Sequence, residues 1–282
     1  MTKLDPRLNA IRPDLADVRL TGEVEAATFA EPTRMQVIEP VVPLHKAPRS
    51  DAVQLTQALM GETVKVFDQQ EGWAWVQLER DGYVGYLSLN ALAADIVAPT
   101  HRIAVPSTFL YPAPNLKTQP VITVTLNAAV CVVGGDEKFV RLSNGRFAFG
   151  KHLKPLDTHE PEFVEVAEKF LHVPYLWGGK SAVGLDCSGL VQLALEATGT
   201  AALRDSDMQE KTLGTALMLN DLDGLQRGDL VFWDGHVGIM TDSHTLLHAN
   251  GHHMMVASEP LKDAIERIAS GYGQVTSIKR LQ

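Results

Sequence analysis

The chain has 282 residues, 45% of them apolar and 21% charged, too many for one small core, so two or three domains are expected. A net charge of -9 leaves no basic footprint for nucleic acid or an anionic membrane surface, and no run of about 18 apolar residues offers a membrane-spanning helix. The expected partners are small and neutral or cationic; the oligomeric state stays open, a monomer being compatible with the sequence.

The segment Met1 to Asp17 carries Asp5, Asp14 and Asp17 and no apolar run of leader length, so no secretory signal is expected there. Residues 1–30 are polar with scattered apolar positions and read as an N-terminal arm. Only two cysteines occur, Cys131 and Cys187, in different neighbourhoods. They cannot form a disulfide framework and are compatible with a reducing compartment, so a cytoplasmic location is expected.

From residue 34 to 155 the chain is rich in short β-type runs such as Thr63 to Phe67, Trp73 to Leu78 and Tyr83 to Leu87, with Asp81-Gly82 as a hairpin turn. The pattern occurs twice. Trp75 to Leu78 (WVQL) aligns with Phe139 to Leu142 (FVRL), Asp81 to Tyr86 (DGYVGY) with Asn144 to Phe149 (NGRFAF), and Leu44 to Pro48 (LHKAP) with Leu110 to Pro114 (LYPAP). Two small all-β barrels are therefore expected, over 31–97 and 98–156, with Ala91 to Thr100 joining them.

From Glu160 the period changes. Phe163, Val166, Ala167 and Phe170 fall at helical spacing, with Pro161 suited to a first turn and Pro174 ending the segment. Asp186 is placed to cap a buried helix from Cys187 to Thr198, stopped by Gly199. Ser206 to Gln209 (SDMQ) reads as a capping box for a third helix. Strands are then expected at Asp229 to Trp233, His236 to Thr241 and Thr245 to Ala249, with a tight turn at Asp234-Gly235. Helices followed by an antiparallel sheet make 157–282 an α+β domain.

A thiol attacks an amide carbonyl only as thiolate, and Cys187 opens a helix, where unpaired N–H groups and the macrodipole favour an anion. The same groups can bind an oxyanion. On position alone Cys187 is equally well a small buried hydrophobe. The histidines change the balance. His236 follows the Asp-Gly turn and opens an apolar strand, and His248 lies on the next strand, so both imidazoles can be brought into line, the second fixing the tautomer of the first.

These residues carry a resemblance. Asp186 to Val191 (DCSGLV), Gly228 to Phe232 (GDLVF) leading into Gly235 to Ile239 (GHVGI), His248-Ala249, and the upstream Pro174 to Gly179 (PYLWGG) together resemble the NlpC/P60 family of cell-wall cysteine endopeptidases. The resemblance covers about 160–282 and implies a papain-like fold with Cys187 as nucleophile, His236 as base and His248 as the orienting third residue. The barrels resemble bacterial SH3-like modules. The whole layout is similar to a subgroup that hydrolyses γ-D-glutamyl-L-diamino acid bonds in murein peptides with a free N-terminal L-Ala, in peptide recycling.

By that resemblance Arg204-Asp205-Ser206 and Gln209 form a second signature, in which Asp205 pairs with the substrate's α-ammonium and Ser206 with its backbone. Tyr175 contributes its hydroxyl near the reacting carbonyl, and Asp186 and Ser188, beside the nucleophile, join the substrate-binding set. From the first barrel Tyr86 closes over the amine with an acid placed at Asp51, where the subgroup carries Glu. The second barrel has Phe149 in place of Tyr86.

Plainer readings stand beside these. Asp205 is also readable as a solvated loop acid next to Arg204. Cys131 sits in an apolar strand with no neighbouring base and is expected in the core, as are Trp73 and Trp75. His244, His248, His252 and His253 lack the spacing of a zinc motif, so neither metal nor cofactor is expected. An amidase or acyltransferase on the same scaffold, or an endopeptidase acting on intact peptidoglycan, is the alternative function.

Overall fold

The computed structural model describes residues 4–218 and 222–281 and divides into two compact units, Met1–Leu156 and Asp157–Gln282. In the first unit an arm precedes the sheets, its β1 (Leu15–Asp17) pairing in parallel with β2 (Thr28–Ala30). The arm is stitched to the strands that follow. The Val84 N–H donates to the Arg7 carbonyl at 2.8 Å, Gln77 Nε2 donates to the Leu8 carbonyl at 2.9 Å, and Ala10 is buried with Phe67, Trp75 and Val84.

The next strands are β3 (Thr33–Val37), β4 (Val41–His45), β5 (Gln54–Leu59), β6 (Thr63–Gln70), β7 (Trp73–Leu78), β8 (Val84–Ser88) and β9 (Leu92–Ala93). They form one sheet in the order β5-β4-β8-β7-β6-β3-β9. Period-2 burial explains β6: Val64 and Val66 face inward while Thr63 and Lys65 are half-exposed. A register shift between Val66 and Asp68 then lets Phe67 also turn inward.

A second β module follows, with β10 (His101–Ile103), β11 (Ser107–Tyr111), β12 (Ile122–Thr125), β13 (Ala129–Val130), β14 (Val132–Gly135), β15 (Phe139–Leu142), β16 (Phe147–Phe149) and β17 (Leu153–Pro155). Its main sheet runs β12-β11-β16-β15-β14, and β13-β10-β17 make a smaller one. The main order repeats β5-β4-β8-β7-β6 of the first module strand for strand. A 3-10 turn follows the last hairpin in both, Leu89–Ala91 and Gly150–His152, so the internal sequence repeat is also a repeat of connectivity.

The second unit contains α1 (Phe163–Glu168), the short pair β18 (Lys180–Ser181) and β19 (Gly184–Leu185), α2 (Cys187–Ala197), α3 (Ser206–Thr212) and β20 (Thr215–Ala216). Then come β21 (Leu230–Trp233), β22 (His236–Met240), β23 (Thr245–Asn250), β24 (Met255–Pro260), α4 (Leu261–Tyr272) and β25 (Ser277–Arg280). The sheet is antiparallel, in the order β20-β25-β21-β22-β23-β24. The α+β expectation gains β24, α4 and β25, so the helices do not all precede the sheet. α2 is buried on almost every face and packs against β22 and β23, which brings its first residue to the start of the central strand.

Candidate active site

The nucleophile candidate is held by its helix start. The Asp186 carboxylate caps α2, its Oδ1 accepting the Gly189 N–H at 2.7 Å, while Oδ2 accepts the Gly178 N–H at 2.8 Å. A cation completes the arrangement: Arg204 is 1% exposed and donates to Asp186 Oδ1 at 2.9 Å and Oδ2 at 2.6 Å. Its Nη1 also reaches Ser188 Oγ at 2.9 Å. This two-pronged buried pair ties the loop before α3 to the first turn of α2.

α3 begins at Ser206 with Asp205, not Ser206, in the capping position and without a side-chain cap bond. The expected capping box is therefore not formed. Gln209 turns instead to the neighbouring helix and donates to the Ser188 carbonyl and the Leu203 carbonyl, each at 2.9 Å. Asp205, half-buried, and Ser206, buried, are thereby fixed beside the start of α2.

The histidines arrive from the sheet. Trp233 pairs with His236 across the Asp234-Gly235 turn, with Gly235 at φ +71°, a conformation that favours glycine. Cys187 Sγ lies 4.0 Å from the Gly235 carbonyl oxygen, which puts it at this turn. Met240 opposes Leu246, so alternation sets His236 and His248 on one face of adjacent strands. Their rings meet with His236 Nε2 and His248 Nδ1 2.8 Å apart.

The line continues to a residue that no sequence motif singled out. His248 Nε2 is 2.7 Å from Glu259 Oε1 on β24, and Arg267 of α4 donates to the same carboxylate oxygen. His248 opposes Ala257 in the ladder, so Glu259 is its same-face diagonal neighbour. The signal was available in principle as an acid two positions beyond the residue opposite His248. It required the position of β24, which the hydrophobic pattern does not mark.

Electrostatics correct one expectation. Burial pushes the Cys187 thiol up, to about 12, and the Asp186 charge adds to this; the Val237 and Ser188 N–H groups and Arg204 pull the other way without prevailing. Desolvation thus outweighs the helix N-terminus. Burial likewise pushes His236 down, to about 3, helped by His248. Burial thus favours the uncharged form of both side chains.

Tyr175 bridges Leu185, just before the cap, and its N–H donates to the Met254 carbonyl at 2.9 Å. Tyr86 and Asp51 belong to the first unit. The Tyr86 hydroxyl accepts from Arg12 Nη1 at 3.2 Å, and Arg12 also pairs with Asp68 at 2.8 Å and lies 4.4 Å from the centre of the Trp75 ring. Two acids share Arg12 with Tyr86, Asp68 and, at 2.6 Å, Asp14; Asp51 makes an exposed ion pair with Arg49 at 3.2 Å. Trp75 is buried as expected, whereas Trp73 and Cys131 are only half-buried.

Among the described residues, ligand atoms of His248, His253 and Glu259 lie within 4.8 Å of one another, a set with metal-binding donor types. Both His248 nitrogens are already engaged, with His236 and with Glu259. A metal ion there would have to displace the histidine line.

Comparison with known proteins locates these features. Residues 172–271 match the NlpC/P60 family and residues 44–92 the bacterial dipeptidyl-peptidase Sh3 domain. The chain is 25% identical over 238 residues to dipeptidyl-peptidase 6 of Lysinibacillus sphaericus, covering 76% of this chain and 86% of the relative. It is 28% identical over 223 residues to gamma-D-glutamyl-L-lysine dipeptidyl-peptidase of Bacillus subtilis, covering 71% and 73%. An NlpC/P60 family protein from Bacillus cereus shares the fold, with a TM-score of 0.72 at 22% identity over 88% of this chain and 99% of that one.

Proposed function

From a chain that carries an NlpC/P60 domain behind a bacterial SH3 domain, we propose a cysteine peptidase that hydrolyses the γ-D-glutamyl bond to an L-diamino acid in cell-wall peptides with a free N-terminal L-Ala. The observation that carries this is Cys187 at the first turn of α2 beside the turn that bears His236, backed by the line from His236 to His248. The relatives' names supply the bond and the dipeptidyl specificity.

In this reading His236 removes the Cys187 proton and the sulfur attacks the γ-carbonyl carbon of D-Glu. N–H groups at the start of α2 stabilise the oxyanion. His236 then returns the proton to the departing amine of the diamino acid, leaving a thioester. Water, deprotonated by His236, hydrolyses that thioester and restores the thiol. Asp205 takes the substrate's α-ammonium, Ser206 its backbone, and Tyr175 lies near the carbonyl, with Asp186 and Ser188 shaping the site.

The proposal extends to a second SH3-like barrel over 98–156, supported by the repeated strand order, ahead of a catalytic domain at 157–282. It extends also to peptide recycling in the cytoplasm, with which two free thiols are compatible. The test is hydrolysis of L-Ala-γ-D-Glu-meso-diaminopimelate, followed by amine release. Release of L-Ala-D-Glu supports the reading; inertness toward this peptide with cleavage of intact peptidoglycan, or transfer to an added amine without hydrolysis, overturns it.

A further inference from the structure

The site contains a proton-ordering problem that cysteine and two histidines do not solve by themselves. A neutral imidazole carries one N–H, on either nitrogen. With His236 Nε2 and His248 Nδ1 2.8 Å apart, one proton lies between the rings, and it can belong to either ring. If it belongs to His248, His236 accepts at Nε2 and carries its own hydrogen on Nδ1. That nitrogen then has no lone pair with which to take a thiol proton. If it belongs to His236, Nδ1 is the free base. The two arrangements differ only in tautomer, and the pair of rings alone does not choose.

Glu259 chooses. An ionised carboxylate only accepts, so Glu259 Oε1 at 2.7 Å requires the hydrogen on His248 Nε2. Neutral His248 must then accept at Nδ1, which requires His236 to donate from Nε2 and leaves its Nδ1 as a lone pair. We infer that Glu259 is a positioning residue that sets the tautomer of both histidines, and that Arg267 keeps it in the accepting form. This rests on the reading of His236 as the base.

The groups facing His248 are consistent with this assignment. They are His236 on β22, Glu259 on β24, Arg267 on α4 and His253 in the turn between β23 and β24. His248 is fully buried, and burial holds it neutral in spite of Glu259, so each ring has a single proton to place. Burial pushes the Glu259 carboxyl up, yet the hydrogen bond from His248 and the charges around it, Arg267 among them, bring it below its ordinary range. It therefore remains an acceptor across the neutral range.

The test reads tautomers directly. In full-length protein with 15N-labelled histidine, nitrogen-detected correlation spectra should show His236 and His248 both as the Nε2–H form at neutral pH. Glu259→Leu should give a mixture at both rings and lower kcat by roughly 10- to 100-fold with KM unchanged. Glu259→Gln, whose carbonyl still accepts, should recover part of the loss. His236 as Nδ1–H in the wild type overturns the inference outright, whether or not Glu259→Leu folds. So do unaltered tautomers and kcat in a folded Glu259→Leu. Because the spectra need no substrate, they decide the role of Glu259 independently of which peptide is cleaved.

Discussion

At the residue scale the proposed chemistry turns on two buried side chains, Cys187 and His236, and one buried ion pair, Arg204 with Asp186. With the thiol raised to about 12 and the imidazole lowered to about 3, ultraviolet thiolate absorbance, taken as wild type minus Cys187→Ala, should be near zero at neutral pH. It should rise only above the ordinary thiol value of 9.0. A full thiolate signal at neutral pH contradicts the neutral pair. In the proposed mechanism His236 works when unprotonated, so its lowered pKa extends activity to acid. The acid limb of kcat/KM should lie below the ordinary imidazole value of 6.5, and a midpoint at or above it argues against His236 in this environment. Arg204→Met leaves the Asp186 carboxylate buried without its cation and should cost about 3–5 kcal/mol in denaturant unfolding, part of which Asp186→Asn in the same chain should restore.

At the scale of elements the decisive fit is the first turn of α2. A Cβ on Gly189 would sit 2.1 Å from the Gly179 carbonyl oxygen, so Gly189→Ala must shift the turn that carries Cys187 and should cost about 1–3 kcal/mol, read as a lowered Tm together with a fall in kcat. Unchanged Tm and kcat would mean that the helix start is looser than its packing indicates. What was legible in the sequence follows the range of the interactions. α2 with its Asp186 cap, the Asp234-Gly235 hairpin and the two histidine strands are specified by residues a few positions apart, and all are present. β24 (MVASEP) has an exposed, polar outer half even though Asn250-Gly251 offers a turn ahead of it, and α4 starts after Pro260 without a side-chain cap. Glu259 and Arg267 lie on these two elements. The pairing of Arg204 with Asp186 spans 18 residues and depends on how α3 docks, which no local pattern encodes. The Cys187 environment follows the same rule: its helix position is visible in sequence, whereas the burial that pushes its thiol up is a property of the packed domain.

At the scale of the whole molecule the proposed function commits to one bond and one attacking atom. A dipeptidyl specificity requires a free amine two residues before the scissile bond. In the proposed function Asp205 takes that ammonium, which favours the charged, unblocked peptide, so acetylating the N-terminal L-Ala should lower kcat/KM by about 100-fold or more; equal cleavage of both peptides would remove the free-amine rule. The repeat of strand order between the two β modules shows that one connectivity accommodates two quite different sets of side chains, Tyr86 in the first and Phe149 in the second, so the modules are not interchangeable in chemistry even where they agree in topology. The most direct measurement is the mass of the protein quenched in acid during turnover of L-Ala-γ-D-Glu-meso-diaminopimelate. The expected result is an L-Ala-D-Glu acyl group in thioester linkage on the peptide containing Cys187, absent from Cys187→Ala, which should also lose roughly 10⁴-fold or more in kcat. Turnover that persists in Cys187→Ala, or an acyl group found on Cys131 instead, would contradict it.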